Sequence, residues 1–239
     1  MDIIMRRGQL HSNILQVSFG DECEIMIVDY ANFHERAERA KYIFENFQRY
    51  FGRKVLDVGC DKAILRTLAR DVEYTGIDVG GNPDIVLNLE NVEHLPFDDG
   101  AFDCVICSDV LEHLDNLHSM FSELIRVTKK YVIVSWPNAW AAARLPIQRG
   151  RGSFKYYGLP VEKAADRHKW FFNITEAMHF VHFNIDKRNN LELVEERITM
   201  KPRPVILRLM RRLMYPHRLN CLNRYAHTLW TVLKKDIQH

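Results

Sequence analysis

Arg53 to Leu65, RKVLDVGCDKAIL, constrains this chain more than any other stretch. Val55-Leu56-Asp57-Val58 reads as a buried strand, Gly59 as a tight turn, and Asp61 as the N-cap of a helix over Lys62–Arg70. A strand that ends in a glycine turn beneath a helix N-terminus is where an α/β fold can hold a nucleotide-like group. Glycine admits close backbone approach, and the helix start offers unpaired N–H groups. Asp78 strengthens that reading, because it ends the next strand 21 residues after Asp57. An acid about 20 residues past the turn is placed to accept two adjacent ribose O–H groups at once.

The rest of the chain supplies a setting for that turn. Apolar residues at 37, 40, 43, 44, 47 and 51 repeat at helical spacing and predict an amphipathic helix from His34 to Phe51, packed beside the first strand. Further strands are expected at Val72–Ile77, Asp84–Leu87, Phe102–Ser108 and Tyr131–Ser135, with a loop over 91–101. Asp115 is the expected cap of a helix carrying Leu117, Met120, Phe121, Leu124 and Ile125 on one face. This alternation implies a doubly wound, mostly parallel sheet. Residues 138–172 interrupt it with glycines, cations and aromatics, and read as an inserted lid, since long loops in compact domains are usually functional. Asn173, three before Glu176, starts a helix to about Phe183. Strands follow at Leu191–Ile198 and Thr228–Leu233, separated by Val205–Met214, where apolar residues mix with Arg208, Arg211 and Arg212. Residues 1–33 show no dominant period beyond a short strand at Ile25–Val28.

Composition bounds the alternatives. With 239 residues, 47% hydrophobic and 27% charged, the chain suits one folded domain with an elaboration. No apolar run approaches the roughly 18–20 residues of a membrane span. MDIIMRRGQL has no uninterrupted apolar core of the signal-peptide kind, so a cytoplasmic protein is expected. Five cysteines, an odd number, fit reduced thiols better than a disulfide framework. Cys104 and Cys107 have a metal-like spacing, but on a strand they point to opposite faces, and no metal site is expected. The net charge of +2 conceals an asymmetry: Lys201 to His239 holds nine Lys/Arg against one acid, leaving −6 on the preceding 200 residues. A basic end on an acidic body suggests an anionic partner or a solvated basic face. For such a partner the candidates are a membrane surface, a phosphorylated substrate or nucleic acid. Nucleic acid is disfavoured, because no RNA-binding module is recognisable.

VLDVGC, GID and LPFDDGAFDCVICSDVLEHL together resemble the class I, Rossmann-like S-adenosylmethionine-dependent methyltransferases, in the version found in small-molecule and glycolipid enzymes. The resemblance covers about residues 35–138. A nicotinamide dehydrogenase fits poorly, since the full G-x-G-x-x-G fingerprint is absent. The resemblance implies a seven-stranded sheet with an antiparallel last strand, a single domain over 1–239, an N-terminal cap over 1–50 and a substrate-binding insertion over 138–185. Asp57, Gly59 and Cys60 would flank the methionine part of S-adenosylmethionine. Asp78 would hold the ribose, Val79, Asn91 and Val92 would surround the adenine, and Ser108 and Asp109 would face the amino-acid end. Asp61 and Ala63 stand where the family commonly has glycine, which keeps a non-catalytic cofactor-binding protein among the alternatives.

The insertion, with YYGLPVEKAADRHKWFF, is similar to segments of bacterial methyltransferases of cell-surface polysaccharide and lipopolysaccharide synthesis. The reaction this implies is O-methylation of a sugar or phosphate-bearing glycan precursor. Another small metabolite, a quinone or an amine, is the alternative acceptor. His113 and His168 are the candidate bases, histidine being suited to proton transfer near neutral pH. Arg144, Arg149, Arg151, Lys155, Arg167 and Tyr157 are the candidate acceptor contacts, as cations for phosphate or uronate and an aromatic face for a sugar ring. Val205–Met214 is expected either to pack between the last strands or to rest on an anionic membrane surface.

Overall fold

The computed structural model describes residues 12–19, 22–154, 156–164 and 166–236, with side chains from Ile25 onward. A hairpin, β1 (Ser12–Phe19) and β2 (Glu22–Tyr30), leads into α1 (Arg36–Phe47). Then come β3 (Lys54–Val58), α2 (Ile64–Leu68), β4 (Glu73–Asp78), β5 (Ile85–Val86), β6 (Phe102–Cys107), α3 (Leu117–Val127) and β7 (Thr128–Pro137). The chain finishes with α4 (Ala139–Arg149), α5 (Ile174–Asp186), β8 (Leu191–Met200), α6 (Val205–Met214), α7 (Arg218–Tyr225) and β9 (Ala226–Lys235).

Among the described residues, nine strands join one sheet in the order β1-β2-β8-β9-β7-β6-β3-β4-β5. The seven strands from β8 to β5 in that order form the anticipated sheet. Its last strand, β9, runs antiparallel between β7 and β8. The hairpin adds two more, with β2 parallel to the edge of β8. Only residues 25–28 of it were legible as strand, because an edge hairpin lacks the long apolar run of a central strand. β3, by contrast, is buried at every position from Val55 to Val58, as a central parallel strand covered on both faces must be.

Helices cover both faces. On one side Tyr42, Ile43 and Phe47 of α1 and Leu65 of α2 pack on Val55, Cys104, Ile106, Ile133 and Trp230. On the other, Phe121 and Leu124 of α3 and Met178 and Val181 of α5 pack on Leu56, Val58, Val105, Cys107 and Val132. Cys104 and Cys107 therefore lie in different layers, both buried and unpaired.

Three local expectations are corrected. Residues 139–149 form α4, because Asn138 caps it by accepting from the amides of Trp140 and Ala141; only the described residues between 150 and 172 are irregular. α2 starts at Ile64 behind Ala63, so Asp61 caps nothing and instead pairs with Arg36. Asn116, not Asp115, stands at the start of α3, and Asp115 is drawn to Lys169. The Asn173 cap is a full capping box with Glu176.

Chain order fixes where a ligand can enter. After β3 the chain moves outward through β4 and β5, then returns to β6 on the other side of β3. The crevice at the carboxyl ends of β3 and β6 is thus the switch point, where open α/β sheets bind ligands.

Candidate active site

Gly59 turns the chain at φ +80, and a Cβ there would meet Val110 Cγ2 at 2.2 Å. The turn after β3 and the segment after β6 are therefore in contact, and only glycine fits between them. Gly59 and Cys60 both donate to the carbonyl of Ile77, tying the turn to the end of β4. Asp61 and Ala63 adopt φ values of 46 and 51. The backbone thus keeps the left-handed shape that glycine would supply, at a cost in strain.

Asp78 is held by amides. Oδ2 accepts from the Asp61 N–H at 2.7 Å and Oδ1 from the Val79 N–H at 2.6 Å. A carboxylate offers about four acceptor positions, so its oriented oxygens can still accept O–H groups from a ligand. Beside it Val79 projects its side chain outward, 64% exposed. Asn91 is exposed at the end of a short 3-10 turn, and Val92 leans on the core.

Asp57 is buried and accepts the Tyr74 hydroxyl at 2.6 Å. Burial pushes its carboxyl up to about 6, although the tyrosine hydrogen bond opposes this. Burial likewise pushes the Cys60 thiol up to about 12, so Cys60 stays protonated and unreactive at neutral pH. At the end of β6, Asp109 takes φ +52 and exchanges hydrogen bonds with Ser135: its N–H donates to Oγ at 2.8 Å and its Oδ1 accepts at 2.7 Å. Ser108 lies beside the same hydroxyl, and the guanidinium of Arg39 pairs with Asp109 Oδ2 at 2.7 Å.

His113 and His168 come together, with ring centroids 4.4 Å apart. Asp166 Oδ1 lies 2.6 Å from His113 Nδ1, off the line of an ideal ring N–H bond. His168 stacks flat on Tyr156 at 4.4 Å, and its Nδ1 meets the Tyr157 hydroxyl at 2.9 Å. Burial, with the neighbouring His113, lowers His168 to about 4 and keeps its ring neutral at pH 7. Glu112, buried beneath them, has no hydrogen-bond partner for either oxygen among the described residues, and burial raises its pKa well above the usual carboxyl range. Glu112, His113 and His168 offer one oxygen and two nitrogens within 4.8 Å of one another, a donor set able to hold a divalent ion. The returning end of the insertion is fixed here: Lys169 N–H donates to the Glu112 carbonyl at 2.8 Å and Trp170 Nε1 to that of Leu114 at 2.7 Å.

The cations anticipated for an acceptor do not converge. Arg144 stacks over Tyr225 of α7, 5.0 Å from the ring centroid. Arg167 donates to the Tyr157 carbonyl at 2.9 Å, while Arg149 and Arg151 are exposed. Lys155 lies outside the described residues. Arg36, Arg39, Tyr74, Glu112, Tyr156 and Asp166 were missed. Glu112 left one signal, a carboxylate inside the apolar VLEHL, where an acid is anomalous unless it faces something polar. Arg36 and Arg39 left another, being three apart on one helical face.

Residues 56–134 match the family model described as a methyltransferase domain. A curated relative, the ubiquinone biosynthesis O-methyltransferase of Pectobacterium carotovorum, is 30% identical over 161 residues, covering 60% of this chain and 66% of that protein. The relative of the same name from Sodalis glossinidius is 33% identical over 40% of this chain and 45% of its own length. The chain thus spans between about half and just under two thirds of these two relatives. Among solved structures, a putative S-adenosylmethionine-dependent methyltransferase from Listeria monocytogenes superposes with a TM-score of 0.52 at 14% identity, over 84% of this chain and 99% of that one. That likeness is one of fold. Residues 56–134, β3 to β7, thus match a methyltransferase domain, and the sheet they build around the switch point has the Rossmann-like fold of such enzymes.

Proposed function

We propose that the protein is an S-adenosylmethionine-dependent O-methyltransferase whose acceptor is a hydroxyl on a planar, phenol-like ring. The residues present fit the cofactor. Asp78 is pre-oriented by amides with acceptor capacity left, Val79 presents an uncovered apolar surface beside it, and the turn at Gly59 has no room for a Cβ. Asp78 would hold the ribose, Val79 and Val92 the adenine, and Arg39, already against Asp109, would face the methionyl carboxylate. The bound cofactor supplies an activated methyl group and a good leaving group. The protein's part is to position the acceptor, exclude water and take its proton.

The observation that carries the reading is the Asp166–His113 pair beside His168, just past the carboxyl end of β6. Asp166 lies against the Nδ1 side of the imidazole, which leaves Nε2 as the nitrogen for the acceptor. His113 Nε2 takes the acceptor's proton while His168, neutral, remains a hydrogen-bonding neighbour. Tyr156, stacked on His168, offers an aromatic surface of the kind that packs on a flat acceptor ring. The relatives named for ubiquinone biosynthesis support this class of acceptor. A glycan or lipopolysaccharide precursor is the second reading, favoured by Arg149 and Arg151, exposed on the insertion.

Calorimetry and turnover test this together. Asp78→Ala should lower cofactor affinity at least tenfold with the circular dichroism unchanged. His113→Ala should bind the cofactor normally and lose about 10²–10⁴-fold in kcat on a catechol acceptor. Unchanged turnover in His113→Ala would sink the base assignment. Methyl transfer to phosphorylated sugars but not to catechols would select the glycan reading. Cofactor uptake with no turnover on either would select a non-catalytic protein.

A further inference from the structure

We propose that α6 is a bilayer anchor that inserts its outward face among the acyl chains of an anionic membrane. The proposal does not depend on the methyltransferase reading. α6 is amphipathic, VILRLMRRLM, but it sits on the protein the opposite way round from a helix that packs on a core. None of its residues is buried. The side chains turned toward the body are arginines: Arg208 lies over the Tyr30 ring at 4.3 Å and Arg211 over Tyr225 at 4.1 Å. These cation–aromatic contacts fix the helix by its polar side.

The apolar side is left facing outward. Leu213 is 83% exposed, Ile206 73%, Met214 64% and Val205 58%. At 100° per residue Leu213 and Ile206 share the crest of this face, with Val205 and Met214 on its flanks. A contiguous apolar ridge on a soluble surface marks an interaction site. Two features choose a bilayer over a protein groove. The ridge belongs to a single amphipathic helix lying on the surface with no residue buried, the arrangement of an interfacial helix. Its charge is of one sign: Lys201 and Arg203 just before the helix and Arg212 on it are exposed, and the chain carries no acid from Lys201 to Lys235. Juxtaposed cations draw such a helix to anionic headgroups. No helix among the described residues is long and apolar enough to cross a membrane, so the attachment is to one leaflet.

Flotation with the full chain tests this, using vesicles of phosphatidylcholine alone or with about one third phosphatidylglycerol. Ile206→Asp with Leu213→Asp changes only exposed positions, so folding is retained. The double variant should lose at least tenfold in partitioning to the anionic vesicles. Arg212→Gln should weaken binding to anionic vesicles more than to neutral ones, and raised salt should do the same. Absence of wild-type uptake, or uptake unaffected by the double substitution, overturns the proposal. Self-association abolished by the double variant, without vesicle uptake, overturns it in favour of a second copy of the chain.

Discussion

At the scale of single residues, the turn after β3 shows how a departure from a family pattern can leave the backbone unchanged. Ala63 is buried at 2% exposure and holds φ 51, ψ 41, a left-handed shape that costs an L-residue roughly 1–2 kcal/mol. Replacing it by glycine releases that strain, loses a methyl worth about 0.8 kcal/mol and adds unfolded-state entropy of about 0.4–1 kcal/mol. These effects nearly cancel. Ala63→Gly should therefore lie within about 1 kcal/mol of the parent in urea unfolding. Ala177→Gly, equally buried but inside α5, has no strain to release and should cost about 2 kcal/mol. Equal losses at the two sites would show that the strain at Ala63 is not real. The sequence made the placement of Asp57, Gly59 and Asp78 around the turn legible because it depends on local spacing. It left Asp166 and Tyr156 unread, because their positions beside His113 and His168 depend on a loop folding back, which no periodicity reports.

Among elements, the periodic ones were the legible ones: α1, α3, α5 and the central strands differ from expectation by only a few residues at their ends. Irregular backbone was read only as irregular, and its anchoring was hidden. The segment 92–101 is held to α3 through Arg126 and Glu123, with Asp99 also pairing with Arg126 at 2.7 Å. Arg126 donates to the carbonyls of Leu95 and Phe97 at 3.0 and 2.9 Å, and Glu123 accepts from the Leu95 N–H at 2.8 Å. Arg126 and Glu123 are joined by two hydrogen bonds of 2.8 and 2.7 Å. These contacts, the Arg126 bonds first, lower the Glu123 carboxyl to about 2 from 4.5. A depressed acid binds fewer protons folded than unfolded, so its contribution is complete above about pH 4.5 and disappears as pH falls through about 2. Glu123→Gln should lose roughly 2–4 kcal/mol in urea unfolding at pH 6, and the gap to the parent should close toward pH 2. A gap that stays constant between those pH values would rule out the ion pair as its source.

For the whole molecule, a buried polar network joins segments that are far apart in sequence and sets α1 over the site. Asp29 of β2, 1% exposed, accepts from the Tyr42 hydroxyl of α1 at 2.6 Å and from Arg197 of β8 at 2.9 Å. Arg197 also donates to Asn46 Oδ1 at 3.1 Å and pairs with Glu195, which in turn receives the Tyr50 hydroxyl at 2.7 Å. The added hairpin, the first helix and β8 are thus locked to one guanidinium. The same helix sends Arg36 to Asp61 and Arg39 to Asp109 at the opposite, ligand-facing end. Breaking one side of a buried pair leaves a charge without its partner, commonly at a cost of about 3–5 kcal/mol. Glu195 still faces Arg197, so Asp29→Asn should cost less, about 2–3 kcal/mol. Arg197→Met should cost a similar amount, because Asp29 loses its guanidinium partner while the Tyr42 hydroxyl still donates to it. Together they should cost much less than the sum, with a coupling of at least about 1.5 kcal/mol in a double-mutant cycle. If α1 transmits this packing to the site, both single variants should also bind S-adenosylmethionine several-fold more weakly while Glu123→Gln does not. Additive stabilities would show that Asp29 and Arg197 act independently. Unchanged cofactor affinity would show that α1 keeps its place over the site without them.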